Sequence, residues 1–194
     1  MFREITPILI SLAIALLGGI YATDEITQNF EGFGELQIDG WTAYPGAGSG
    51  DADPYARARA ARTGRIALGS AEGLAFIAKV DTEGQPLSAE CHYSIDGRTA
   101  SARAWTLRIT DDQMSTIAFD GDGTHSAHSG NVLRKTDGTF SIQVSPTASA
   151  GNWVQSTGIG NRYFIITLYD TSVASTTGIS DFRMPSITRV SCDG

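Results

Sequence analysis

Residues Gly151–Asp170 read GNWVQSTGIGNRYFIITLYD, and this stretch decides the fold. Within it, Phe164, Ile166 and Leu168 recur at the two-residue period of a strand. The opposite face carries Tyr163, Ile165, Thr167 and Tyr169, too apolar a set for an open solvent surface. A strand with so little polar relief on either side belongs in the middle of a sheet or under another layer. Before it stand an Asn-Trp pair, read as a corner with Asn152 forming the turn and Trp153 plugging the end of the fold, and a Gly-rich turn.

Similar alternation recurs on both sides. Leu74, Phe76, Ala78 and Val80 share one face and are followed by a turn at Asp81–Gly84. Cys91, Tyr93 and Ile95 alternate with His92, Ser94 and Asp96; Trp105, Leu107 and Ile109 alternate with Thr106, Arg108 and Thr110. Phe140, Ile142 and Val144 follow the hairpin signal Asp137-Gly138. Leu36, Ile38 and Trp41 suggest one edge strand. Turn signals between short strands, with 22 glycines in 194 residues, predict a mainly β fold, an antiparallel sandwich and not βαβ units.

One helix interrupts this pattern. In DADPYARARAARTG, residues 51–64, Asp53 suits the cap, Pro54 the first helical position and Gly64 the stop. The cluster Arg57, Arg59, Arg62 and Arg65 reads either as an anion or lipid-headgroup site or, more plainly, as a solvated face pairing with an acidic domain.

The N-terminus is of another kind. Ile5–Ala22 is about 18 uncharged, almost wholly apolar residues, near the lower limit for a helix that crosses a bilayer. Arg3 precedes it and Asp24 and Glu25 follow, which places the bulk of the chain outside the cytoplasm. A cleaved signal peptide competes with an uncleaved anchor, but Ile20 before Ala22 and Leu17 before Gly19 make poor cleavage sites. A buried core helix is the third reading. The expected organisation is a signal anchor over residues 1–23, a tether over 24–40 and a sandwich over 41–194.

Formal charge is −7, and since Arg3 and Glu4 cancel, the remainder keeps all of it. So acidic a domain repels phosphate backbones, which argues against nucleic-acid partners. Cys91 and Cys192 lack the spacing of a zinc or redox pair. An oxidising compartment makes them one disulfide closing a loop of about 100 residues, worth about 4–5 kcal/mol by chain entropy; two buried thiols are the alternative.

The chemistry-bearing candidates are sparse. Asp120, Asp122, His125 and His128 in DGDGTHSAHSG offer metal-type ligands, but their spacing matches neither the calcium loop nor a zinc signature. A surface loop is the plainer reading, and no cofactor is implied. Neither a G-x-S-x-G elbow nor an H-E-x-x-H or phosphate-binding loop occurs. His92, Ser94 and Asp96 share a strand face as a polar patch or as its solvent side. Tyr163, Tyr169, Trp153 and Arg108 are the residues most suited to contact a ligand, the aromatics stacking on a sugar ring and Thr106, Gln143 and Arg108 bonding its hydroxyls.

In order along the chain, PYARARAARTG, EGLAFIAKVDTEGQPL, CHYSIDG, AWTLRITD, KTDGTFSIQVSP, GNW, RYFIITLY and MPSITRVSC resemble the bacterial family of domain of unknown function 1214, over about Trp41 to Cys192. The overall form is similar to its short, membrane-anchored alphaproteobacterial members. The resemblance implies a jelly-roll-like sandwich with no established activity, and a partner resembling domain of unknown function 1254. Two departures stand out. The family's Asn-Trp-Leu-Pro is Asn152, Trp153, Val154, Gln155 here, and Thr167 stands where an arginine is usual. Together these features predict a membrane-anchored, periplasm-facing module that binds and does not catalyse; the rival is a hydrolase or carbohydrate-active enzyme with its site on the sandwich face.

Overall fold

The computed structural model describes residues 2–29, 33–64, 67–69, 71–117, 124–174 and 182–192. It divides into two compact units, Met1–Phe33 with Gly46–Ala67, and Gly34–Pro45 with Leu68–Gly194.

The first unit holds two helices, α1 (Phe2–Asn29) and α2 (Pro54–Thr63). Apolar side chains cover every side of α1 and none of its span is buried: Ile8, Ile14, Leu17 and Ile20 are all about two-thirds exposed. A helix apolar all round and uncovered is long enough, over Ile5–Ile26, to cross a membrane. The ends of α2 form as their residues dictate. Asp53 stays extended and its Oδ1 accepts from the Tyr55 and Ala56 amides, each at 2.9 Å. Gly64 closes the helix in the left-handed region at φ 66° and donates to the Ala60 carbonyl.

The second unit is the sandwich. Its strands are β1 (Leu36–Ile38), β2 (Trp41–Ala43), β3 (Gly73–Ala78), β4 (Cys91–Gly97), β5 (Ala104–Thr110), β6 (Ser126–His128), β7 (Phe140–Ser145), β8 (Asn152–Gln155), β9 (Tyr163–Tyr169) and β10 (Ser186–Cys192). One sheet runs β1-β2-β3-β9-β5-β6 and the other β10-β4-β7-β8. The apolar stretch Tyr163–Tyr169 is therefore the central strand β9, flanked by β3 and β5, with Ile166 in register with Phe76 and Leu107. Phe164, Ile166 and Leu168 are wholly buried, and facing them from the smaller sheet are Tyr93, Ile95, Phe140, Ile142 and Val144. Two aromatic pairs bridge the sheets: Tyr93 meets Phe164 edge-on at 5.5 Å, and Trp105 lies 5.0 Å from Phe140. Burying each such side chain contributes about 1.5–3 kcal/mol. The core is thus a two-sheet interior, the sandwich that the alternation predicts, in the jelly-roll-like form that the resemblance implies.

Several expectations change in detail. Leu36–Trp41 is not one edge strand: β1 forms the sheet edge, and Asp39 at φ 51° and Gly40 at φ 83° turn the chain so that Trp41 begins the next strand, β2. Positive φ at both central residues is the geometry that suits an Asp-Gly hairpin. The sandwich is not wholly antiparallel, because β8 pairs with β7 in parallel. Parallel neighbours usually need a long crossover. Here the overlap is only Ile142–Ser145 against Asn152–Gln155, so the short loop between them suffices to bring the chain back. The Asn-Trp corner is accordingly a strand.

Cys91 and Cys192 are directly paired in the β4–β10 register and form a disulfide, so the C-terminal strand is joined to the middle of the chain. Noncovalent ties hold β10 as well. Buried Asp81 lies 3.1 Å from the Arg189 guanidinium while its Oδ1 accepts from the Glu83 and Gln85 amides, and Thr82 donates through Oγ1 to the Ile187 carbonyl at 2.7 Å. The Gly-rich turn before β9 wraps buried Arg162, whose guanidinium donates to the carbonyls of Thr157, Asn161 and Ile159. Burial lowers its pKa from the usual arginine value, against the opposing pull of Asp111 and Asp112.

Candidate functional site

The period of two sends alternate residues of β4, β7 and β8 to the outer face of the smaller sheet. Ser94 and Asp96 come from β4, Ser141 and Gln143 from β7, and Trp153 from β8, in register with Gln143. They form a connected polar line. The Ser94 hydroxyl donates to Asp96 Oδ2 at 2.5 Å, and the Gln143 amide donates to Ser94 Oγ at 3.0 Å, with Ser141 Oγ 3.4 Å from Ser94 Oγ. Trp153 is half-buried, its Nε1 donating to Ser145 Oγ at 3.0 Å and to the Ser145 carbonyl at 3.2 Å. This holds the indole edge against Ser145, while the register sets the Trp153 backbone one strand spacing of about 4.8 Å from that of Gln143. Trp153 therefore does not plug the end of the sandwich, because its register sends Val154, not the indole, to the core. Asn152 acts as a cross-link and not a turn-former: its Oδ1 accepts from the Leu133 amide, and its Nδ2 donates to the carbonyls of Leu133 and Ser141.

The outer face of the larger sheet is different. Ile165 and Ile77 are buried under Met114, with Ala75 and Tyr163 packed against them, which accounts for the apolar second face of β9. Lys79 Nζ sits 5.3 Å from the Tyr163 ring centre. Thr167 lies between Ala75 on β3 and Thr106 on β5. Arg108 is exposed beside Ser126 of β6. Tyr163 and Tyr169 stand at opposite ends of β9, about 20 Å apart at strand rise. The four ligand candidates named from the sequence thus do not form one site: Arg108 and Tyr163 are diagonal neighbours on the larger sheet, Tyr169 stands at the other end of β9, and Trp153 is on the smaller sheet.

At the Tyr169 end, the register of Ala104 with Tyr169 brings the residues before β5 beside those after β9. They line an open groove of about 780 Å³ with Ser101, Ala102, Arg103, Asp170, Thr171 and Ser172. Arg103 Nη1 lies 3.6 Å from Asp170 Oδ2, both side chains well exposed, and Thr171 Oγ1 donates to the Ser101 carbonyl at 2.7 Å. Asp170 adopts φ 50°, left-handed and uncommon for a non-glycine residue. A solvated guanidinium–carboxylate pair holds charge but lacks the nucleophile-and-base contact that acyl or glycosyl transfer needs. Sequence reading passed over Arg103 and Asp170, since neither lies in a motif and only strand register brings them together.

Of the metal-type residues, Asp120 and Asp122 lie outside the described residues. His128 is on β6, its Nδ1 accepting from the Gly130 amide at 3.2 Å, and His125 precedes that strand. Among the described residues, no three His, Cys, Asp or Glu side chains group as a metal site.

This is a β-sandwich with one polar outer face, one partly apolar outer face and an open groove at a strand end. Residues 72–173, from the entry of β3 to just past β9, match the family described as Protein of unknown function (DUF1214), and the chain belongs to that family. Among solved structures, the VPA0106 protein from Vibrio parahaemolyticus is similar at 17% identity with a TM-score of 0.59, over 92% of this chain and 44% of that one. An uncharacterized protein from Burkholderia cenocepacia aligns at 16% identity and a TM-score of 0.43, over 92% of this chain and 51% of that one. The chain thus spans about half of each of those two proteins. No curated protein matches it.

Proposed function

We propose that this chain is a non-catalytic binding module of the cell envelope, held in the inner membrane by α1 with its sandwich in the periplasm. The uncovered apolar helix supports the anchor, Arg3 before the span and Asp24 and Glu25 after it support the orientation, and the Cys91–Cys192 bond suits an oxidising compartment. The ligand surface is the outer face of the smaller sheet. One observation carries it: Trp153 is held half-exposed beside a continuous amide–hydroxyl–carboxylate line of Gln143, Ser94 and Asp96. An aromatic face next to fixed donors and acceptors suits a ligand rich in hydroxyls, a saccharide above all. A protein resembling domain of unknown function 1254 is the proposed partner, to be tested by co-purification from envelope extract.

The test is calorimetric titration of the full chain in detergent with a panel of neutral oligosaccharides. One class should bind, and Trp153→Ala should weaken that binding at least about tenfold, the loss expected from a stacking contact worth about 1.4 kcal/mol. If no saccharide binds, or if the variant binds as well as the parent, this surface is not the site. Release of cleaved sugar during the titration would favour the hydrolase reading.

A further inference from the structure

We propose that α2 lies on the surface of the membrane that α1 crosses, and that its arginines hold lipid phosphates there. This rests on the reading of α1 as an anchor. The uncharged part of α1, Ile5 to Thr23, is about 28 Å long at helical rise, close to the hydrocarbon thickness of a bilayer. Asp24, the first charge after it, must then sit at the boundary with water. Arg62 Nη1 reaches that carboxylate at 2.6 Å, which fixes the last turn of α2 at the same depth.

The composition of α2 fits that position. It carries Arg57, Arg59 and Arg62 and no acidic residue of its own, while Asp51 and Asp53 lie ahead of its first turn. Arg62 is neutralised by Asp24, but Arg57 is tied to neutral partners, donating through Nε to the Ala52 carbonyl at 2.8 Å and through Nη2 to that of Gly50 at 3.2 Å. Its charge is therefore retained, and its fork is oriented by those bonds. Guanidinium groups match phosphate oxygens in pairs of parallel hydrogen bonds, and basic side chains at the headgroup layer favour anionic lipid. Tyr55, Ala58 and Ala61 form an exposed strip of the helix, and Tyr21 is exposed on α1 just before Asp24. Tyrosines at this level suit the interfacial belt.

The native cysteines are joined to each other, so Ala58→Cys provides a single thiol for a nitroxide. The full-length chain is reconstituted in phosphatidylcholine vesicles with and without phosphatidylglycerol, and collisions of the label with a water-soluble nickel chelate are compared with those of a labelled soluble peptide. With phosphatidylglycerol present, the collision rate at Ala58→Cys should fall about threefold below the peptide standard. Adding Arg57→Gln and Arg59→Gln, which leaves the Arg62–Asp24 bridge intact, should abolish the part that depends on phosphatidylglycerol. A chain that floats with the vesicles but whose label collides as freely as the standard overturns the proposal and leaves the anchor standing. Protection unchanged by the two glutamines also overturns it. A chain that does not float refutes the anchor, and the proposal falls with it.

Discussion

At the scale of the residue, β9 shows how a single position in the alternation sets what a side chain can be. Thr167 points outward between two small neighbours, whereas Leu168 is wholly buried between the sheets. Thr167→Arg should change unfolding free energy by no more than about 1 kcal/mol, while Leu168→Arg buries an unpaired charge and should cost more than about 4 kcal/mol or prevent folding. Urea unfolding of the two variants separates these outcomes, and equal destabilisation would contradict the assigned register. A second case is Asp137, in the turn before β7. Its pKa is lowered, first by the Thr139 hydroxyl donating to it at 2.7 Å, then by the Thr139 amide, with Arg98 and Lys135 adding smaller effects. Because the folded value lies below the unfolded one, this contribution to stability is present above the ordinary aspartate pKa and is lost as pH falls through the folded value. Thr139→Val should move the Asp137 titration upward in an NMR pH series; an unchanged titration would remove the hydroxyl as the main cause.

At the scale of the element, the longer strands were legible because each presents three or more alternating apolar residues to one core. The pattern fails where an element is too short to show a period or has too little to bury. The three residues of β6 sit in a Gly, Ser and His run and are strand only because β5 pairs with them. In β10, Ile187 reaches the core while Arg189 lies against the Tyr93 ring at 5.7 Å, so half of its inward face is polar by sequence. The disulfide then matters most for this strand. Reducing it should lower stability by up to about 4–5 kcal/mol in the chain-entropy picture. Since Asp81 and Thr82 still hold β10 without it, amide exchange in β10 should accelerate before that of β9. Uniform acceleration across both sheets would mean instead that β10 has no stability of its own.

At the scale of the whole molecule, composition separated an apolar N-terminal segment from an acidic, Gly-rich remainder, but the compact units divide the chain otherwise, with α2 in the same unit as α1 and the β1–β2 hairpin in that of the sandwich. The faces of the sandwich were harder to read. Trp153 looked like a packing residue because parallel pairing is not encoded in a short Asn-Trp-Val-Gln run, and its side chain could be assigned to a face only once Gln143 was its neighbour. The groove at Arg103 and Asp170 depends on residues about 67 positions apart in the chain, which only the β5–β9 register joins. Local chemistry predicted α2 to its caps; surfaces assembled from several strands were beyond it.

The Cys91–Cys192 bond also makes most of this sandwich a covalent ring. Strands β4 to β10 lie within it, while β1, β2 and β3 join from the N-terminal arm that carries the apolar helix. A protease that cuts once anywhere in the ring linearises it without freeing a fragment, so both pieces stay attached to that arm. A cut between β3 and β4 instead separates the ring from the arm in covalent terms, leaving the hydrogen bonds of β3 to β9 to retain it. Covalent separation of the ring from the apolar helix therefore requires a cut somewhere before Cys91, and not in the many loops that follow.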